Sequence, residues 1–72
     1  MNTTDEQLDN WFTYHSPSAE QLPKYQAIRD AARVFAGVLR DNTERCADQT
    51  ASLRKLRECV MTANASIACN GQ

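Results

Sequence analysis

The hydrophobic positions of this chain recur at helical spacing in three separate stretches. In the first, Leu8, Trp11 and Phe12 follow Thr4 and Gln7, and these two polar residues have the spacing of a capping box. The pattern predicts a short amphipathic helix over about residues 4–13. A helix of this length is unstable alone, so it needs another surface to pack against.

The second stretch predicts a long helix over about residues 17–41, with apolar positions in steps of three and four. Ser16–Pro17 is a typical helix start, and Ser18 with Gln21 offers a second, overlapping one. Pro23 would then lie about a turn inside the helix and bend its first turn. The apolar stripe consists of Leu22, Tyr25, Ile28, Ala32, Phe35 and Leu39.

The third stretch predicts a helix over about residues 48–69, with Asp48 as N-cap and Asn70–Gly71 as the stop. Its stripe consists of Leu53, Leu56, Val60, Ala63 and Ile67. A short polar segment joins the two long helices, so they must be antiparallel neighbours. We therefore expect an all-α fold: one domain over residues 1–72, made of a short N-terminal helix and an antiparallel two-helix hairpin.

The length of the chain, 72 residues, predicts a compact homo-oligomer. A lone hairpin encloses no core, so its apolar stripe and the Trp11/Phe12 helix need other copies of the chain to cover them. A formal net charge of -1 disfavours DNA or RNA as a partner. The apolar runs are far shorter than the roughly 20 residues that span a bilayer, and the polar start lacks a signal peptide. We expect a cytosolic protein without a membrane partner.

Residues with catalytic or metal-binding chemistry are few. Three widely spaced cysteines disfavour disulfides and zinc, and Cys59 on a helix face is expected to be a small buried hydrophobe. The single histidine, His15, has no placed partner, and a positioning hydrogen bond is its expected role. The sequence predicts no metal, no cofactor and no enzyme activity.

One combination of residues suits an anionic ligand with aromatic rings. Tyr14, Lys24 and Arg29 flank the start of the long helix, where a ring can stack on a base and a cation can meet phosphate. The alternative is that both cations are solvated and Tyr14 covers the hairpin. The third helix adds a mixed-charge face, which favours solubility or concentrates cations in an oligomer, and which consists of Arg54, Lys55, Arg57 and Glu58.

Several separated motifs, in order, resemble the phage-encoded anti-CBASS cyclic-nucleotide sponge family over about residues 11 to 69. They are Tyr14-His15-Ser16-Pro17, Glu20-Gln21, Lys24-Tyr25, Ile28-Arg29-Asp30-Ala31-Ala32, Ala47-Asp48-Gln49-Thr50, Arg54-Lys55, Arg57-Glu58 and Val60-Met61-Thr62-Ala63-Asn64-Ala65-Ser66-Ile67-Ala68. The resemblance implies a small helical homohexamer in the cytoplasm of the infected bacterium. Such proteins bind cyclic dinucleotides of CBASS signalling, and some bind cyclic trinucleotides at separate threefold sites, without cleaving them.

The resemblance also implies roles for individual residues. Tyr14 would stack on a base, and Arg29 or Lys24 would meet a phosphate, with Arg29 preferred because it lies deeper in its matched segment. Further candidates are His15 and Pro17 as wall residues, and Met61 and Asn64.

One departure from the family pattern counts against part of the implied function, and one alternative function stays open. Cys69–Asn70 stands where some relatives have a basic residue, which counts against a trinucleotide site. The alternative function is a helical protein–protein interaction module whose exposed apolar stripe binds another protein.

Overall fold

A computed structural model describes residues 2–71, which form three α-helices and no β-strand. Helix α1 is Asp5–Trp11, α2 is Leu22–Asp41 and α3 is Ala47–Ala68. The predicted all-α class, with a short helix before two longer ones, is confirmed. The single domain over residues 1–72 stays a prediction, and residues 1 and 72 lie outside the described part.

Helix α1 begins with the predicted capping box. The Gln7 amide donates to Thr4 Oγ1 at 3.1 Å, and the Thr4 amide donates to Gln7 Oε1 at 2.9 Å. The helix ends at Trp11, short of the predicted residue 13. The Thr13 hydroxyl donates to the Asp9 carbonyl, which is the acceptor that the Thr13 amide would use in a longer helix.

Helix α2 begins at Leu22, so the predicted start at Pro17 is wrong. The second start signal wins: the Gln21 amide donates to Ser18 Oγ at 3.2 Å, and the Ser18 amide donates to Gln21 Oε1 at 3.0 Å. Pro23 comes directly after this capped turn, in which the Leu22 amide donates to the Ser18 carbonyl at 3.1 Å. Because proline has no N–H, Pro23 cannot donate to the next carbonyl, that of Ala19, and the regular helix begins only after this turn. This agrees with the predicted disturbance of one hydrogen bond near the helix start.

Helix α3 begins one residue earlier than predicted and stops as predicted. Its N-cap is Cys46 without a side-chain bond, and Asp48 lies in the first turn, where an acid favours the helix dipole. At the other end, Asn70 and Gly71 have φ of 54° and 78°. The Gly71 amide donates to the Ser66 carbonyl at 2.9 Å, which with the left-handed Asn70 makes a Schellman stop.

The two long helices are antiparallel, because side chains join opposite ends of α2 and α3. Gln21 Nε2 donates to the Ile67 carbonyl at 3.0 Å, and Gln49 Nε2 donates to the Arg40 carbonyl at 3.1 Å. The half-buried residues of α3 include its predicted stripe, Leu53, Leu56, Val60, Ala63 and Ile67. Residues of the α2 stripe that are half-buried are Tyr25, Ile28, Ala32 and Leu39, whereas Leu22 and Phe35 are exposed.

The chain does not close a core around these stripes. Only Cys69, 8% exposed, is buried among the described residues. The chain exposes 6082 Å², whereas a folded monomer of its mass is expected to expose about 4,500 Å². The radius of gyration is 15.4 Å, against about 11 Å for a compact chain of this length.

Cys59 shows what an unclosed core means for a single residue. It was expected to be buried, but it is exposed beside the groove between α2 and α3. Among residues 2–71 no third helix covers that groove, so a helix face that looks internal in the sequence is exposed. Cys46 is exposed as well.

Candidate functional site

Residues 13–21 connect α1 to α2, and we call this segment the corner. His15 is half-buried, and its Nε2 lies 2.6 Å from the Asn10 carbonyl oxygen. A carbonyl only accepts, so Nε2 carries the proton and donates. Asn10 Nδ2 donates in turn to the Cys69 carbonyl at 3.2 Å. His15 thus makes a positioning hydrogen bond, and through Asn10 the corner is tied to the end of α3.

A second tie runs through Gln21. Its side-chain oxygen accepts from the Ser18 amide, while its side-chain nitrogen donates to the Ile67 carbonyl. The Ile67 carbonyl also accepts from the Asn70 amide at 3.2 Å, so Gln21 adds a second donor to it, while Asn10 gives the Cys69 carbonyl a donor from α1. Side chains on both sides of the corner therefore bond the C-terminal end of α3.

A groove of about 580 Å³ opens beside the corner, and we call it the corner groove. Its lining comes from the corner and the first two turns of α2 and consists of Pro17, Ala19, Leu22, Pro23, Tyr25, Gln26 and Arg29. The lining is mostly apolar, with one guanidinium at its edge. An apolar wall with a few placed polar groups is the usual composition of a small-molecule site.

The Arg29 guanidinium is held without a carboxylate. Arg29 Nη1 donates to Gln26 Oε1 at 3.2 Å, and Gln26 Nε2 donates to Asp30 Oδ1 at 2.7 Å. Among residues 2–71 the ion pair is Arg40–Asp41, at the far end of α2. No carboxylate therefore offsets the charge of Arg29 among the described residues, and its remaining N–H groups are available as donors to an anion.

The two alternative phosphate cations lie in different grooves. Arg29 lines the corner groove together with Pro17, whereas Lys24 lines a groove of about 360 Å³ on the α3 side. We call the second one the polar groove, and its other lining residues are Ser18, Glu20, Gln21, Ser66, Ile67 and Asn70. Within one chain, then, Lys24 does not join the wall that Pro17 and Arg29 share.

Tyr14 is 82% exposed and does not line the corner groove. Its ring faces are open to solvent, so a stack on a base needs a ligand that reaches beyond the groove or comes from another copy. The chain alone brings together Pro17 and Arg29, and it does not bring Tyr14 to them.

The two candidates on α3 also differ in position. Met61, 67% exposed, lines a groove of about 470 Å³ between α2 and α3, which Arg29 borders as well. We call this the hairpin groove; its other two cations are Arg33 and Arg57. Asn64 is half-buried, and its Oδ1 accepts no hydrogen bond from the described residues.

Sequence reasoning missed Asn10 and Gln26 as site residues and saw Gln21 only as a cap. Gln26 was detectable, because it lies three residues before Arg29 and four before Asp30, both of which it meets on the helix surface. The hydrogen bonds from Asn10 and Gln21 to α3 join residues that are 59 and 46 positions apart, so no local sequence pattern predicts them.

The described part of the chain has neither a metal-binding cluster nor a membrane-spanning helix. Residues 2–71 contain no group of three or more His, Cys, Asp or Glu side chains that could hold a metal ion. None of their helices combines the length and the hydropathy that crossing a bilayer requires.

The comparison with protein families identifies the chain. The family model described as Acb2/Tad1, hairpin domain, matches residues 4–68, which include all three helices. The chain therefore belongs to the Acb2/Tad1 hairpin family, and Acb2 is the anti-CBASS sponge family, which confirms the resemblance in the sequence. The family is one of sponge-type binding proteins and is not known for enzymes. Comparisons with curated proteins and with solved structures found no match.

Proposed function

We propose that this member of the Acb2/Tad1 hairpin family is a phage anti-defence protein that sequesters cyclic dinucleotides of CBASS immunity without cleaving them. The observation that carries the proposal is the corner groove, whose apolar wall ends at the unpaired charge of Arg29. The place of action is the cytoplasm of the infected bacterial cell, where the messenger is made.

Each group of the ligand has a matching residue. Arg29 meets a phosphate, because a guanidinium offers two parallel N–H donors to two anionic oxygens. Pro17 lies in the wall, and His15 holds the corner behind it. Tyr14 stacks on a base, since its exposed ring has free faces. Lys24 is the second choice for phosphate.

Met61 and Asn64 stand as further ligand candidates on α3. Met61 borders the hairpin groove next to Arg29, whereas Asn64 Oδ1 is a buried acceptor without a described partner, so a base or ribose donor reaches it only if the surrounding side chains move. These two are the weakest assignments of the set, because neither lines the corner groove.

The functional form is a homo-oligomer, and we propose the homohexamer that the family resemblance implies. The support is the exposed area, which exceeds that of a typical monomer by roughly 1,600 Å², about twice what each partner contributes to a standard protein interface. A cyclic dinucleotide has two phosphates and two bases, so two copies of the corner supply two cations and two rings to one ligand.

Calorimetry with cyclic dinucleotides, including cGAMP, and cyclic trinucleotides tests the proposal. Saturable binding of at least one cyclic dinucleotide is expected, with weak trinucleotide binding because no basic residue stands at Cys69–Asn70. Denaturing the complex should release the ligand intact, and released linear products would instead indicate a phosphodiesterase. No heat signal from any cyclic dinucleotide would overturn the proposal. Native mass spectrometry of the same samples gives the number of chains and ligands.

The alternative, a protein–protein interaction module, has one observation in its favour. Val34, Phe35 and Val38 form an exposed apolar face on α2. A module of this kind would bind another protein through that face and would be indifferent to cyclic nucleotides. Binding of a cyclic dinucleotide that Tyr14→Ala weakens would decide against it.

A further inference from the structure

One wall of the corner groove is held in place by a residue that does not itself line the groove. Pro17 and Ala19 line the groove on either side of Ser18, and Leu22 lines it directly after Gln21. Gln21 does not line the groove, yet it bonds the backbone between the wall residues: the Ser18 amide donates to Gln21 Oε1 at 3.0 Å. The shape of the wall thus depends on where the Gln21 side chain is fixed.

That side chain is fixed by α3. Gln21 Nε2 donates to the Ile67 carbonyl at 3.0 Å, a group that lies in the last turn of α3. Gln21 therefore works as a bridge with its oxygen on the wall and its nitrogen on α3. Asn10 makes the parallel tie on the α1 side, from its Nδ2 to the Cys69 carbonyl at 3.2 Å.

We propose that Gln21 is a positioning residue for the ligand: by joining Ser18 to the end of α3, it sets the groove wall before the ligand arrives. The inference rests on the proposed function, because it assigns the wall to ligand binding. A wall that is already ordered lowers the entropy that binding must remove, so its loss weakens affinity although no ligand contact is lost.

The variant Gln21→Glu removes one half of the bridge and keeps the other. A carboxylate oxygen still accepts from the Ser18 amide, but the second oxygen faces the Ile67 carbonyl, and two acceptors repel each other. At low pH the introduced carboxyl is protonated, its O–H donates to the carbonyl, and the bridge re-forms. Two charged residues line the polar groove beside the introduced carboxyl. The negative charge of Glu20 favours protonation of this carboxyl, and the positive charge of Lys24 opposes it.

The matched control is Gln49→Glu at the other end of the hairpin. Gln49 Nε2 donates to the Arg40 carbonyl at 3.1 Å and to Thr43 Oγ1 at 3.0 Å, so the same exchange breaks at least as many bonds far from the groove. This control measures the general stability cost of the substitution. Asn10→Asp is the second test variant, because it removes the parallel tie to Cys69 in case Gln21→Glu does not fold.

The readout is the affinity for a cyclic dinucleotide, divided by that of the unmodified protein at the same pH, which cancels every pH effect that the two proteins share. We expect Gln21→Glu to bind about tenfold more weakly near neutral pH, the value of one hydrogen bond. At about pH 4.5 the affinity should return to within about threefold, as the carboxyl protonates. Gln49→Glu should stay near the unmodified affinity at both pH values.

A second readout needs no ligand and separates the two proposals. Amide NMR signals of residues 13–19 should shift in Gln21→Glu near neutral pH and return at low pH. If the unmodified protein binds no cyclic dinucleotide, the proposed function fails, and the NMR signals still decide whether Gln21 positions the wall. A pH-independent loss of affinity, equal in Gln21→Glu and Gln49→Glu, would overturn the positioning role, and so would unshifted signals.

Discussion

The two ends of the hairpin are closed by the same kind of hydrogen bond, from a glutamine side chain to a backbone carbonyl, but only one end has a candidate binding groove beside it. At the corner end, the side-chain amide of Gln21 bonds the terminal carbonyl of Ile67 on α3; at the loop end, the amide of Gln49 bonds that of Arg40 on α2. The corner end adds Asn10, His15 and the groove beside Arg29. The loop end adds the exposed Arg40–Asp41 ion pair and hydrogen bonds of Asn42, Thr43 and Gln49 that close the loop. Helix-end hydrogen bonds therefore show how each end of the hairpin is closed, whereas the proposed site is at the end where they also support a groove with a cation that has no carboxylate partner.

The largest effect is expected from removing that cation. Arg29→Gln should weaken cyclic-dinucleotide binding by about 100-fold, because a charge-assisted hydrogen bond to each phosphate is lost. Calorimetry measures this loss, and Arg40→Gln is the control with the same change at the loop end. Equal losses in the two variants would mean that general charge, and not the corner groove, attracts the ligand.

A smaller loss is expected from the aromatic ring of the corner. Tyr14→Ala should weaken binding by about tenfold, since one stacked base contributes about 1–3 kcal/mol. Tyr14→Phe keeps the ring and should bind within about threefold of the unmodified protein. A loss in Tyr14→Phe as large as in Tyr14→Ala would assign the effect to the hydroxyl and contradict stacking.

Lys24→Gln tests whether the phosphate contact lies in the corner groove or in the polar groove. Lys24 lines only the polar groove of these two, so the variant should change affinity by less than about threefold. The same titration as for Arg29→Gln gives the comparison. A loss in Lys24→Gln that exceeds the loss in Arg29→Gln would move the phosphate contact to the other face of α2.

The smallest effect is expected at the loop end. The hydrogen bond from Arg40 and then its charge lower the pKa of Asp41, so this contribution to stability exists above the ordinary pKa of Asp and disappears as the pH falls through the lowered value. Both side chains are exposed, so the contribution is small. Thermal unfolding of Asp41→Asn should match the unmodified protein near neutral pH. A clearly lowered midpoint there would show that the loop end carries more of the fold than its exposure indicates.

Local patterns in the sequence predicted those parts of the fold that depend on neighbours along the chain. The Thr4/Gln7 capping box, the α3 stripe and the Asn70–Gly71 stop each involve residues a few positions apart. The start of α2 was predicted wrongly, because two cap signals overlap. Gln21, which belongs to the second signal, also bonds Ile67, and this contact follows from the tertiary structure.

The proposed site could be predicted only where it depends on local spacing along a helix. Lys24 and Arg29 are five positions apart, which places them about 140° apart around a helix, so the sequence could have separated them. The ring of Tyr14 could not be placed, because the corner is irregular and its shape depends on contacts with α3. Burial of Cys59 was predicted from one helix face, and a single hairpin has no third layer to cover that face.

The excess exposed surface has a consequence for how such a protein works in a cell. In the proposed homo-oligomer, copies of the chain cover each other's apolar faces, so stability would depend on the concentration of the chain. Early in production, when chains are scarce, few of them would be assembled and able to bind. The amount of messenger removed would then rise more steeply than the number of chains made, which gives the protein a threshold dose.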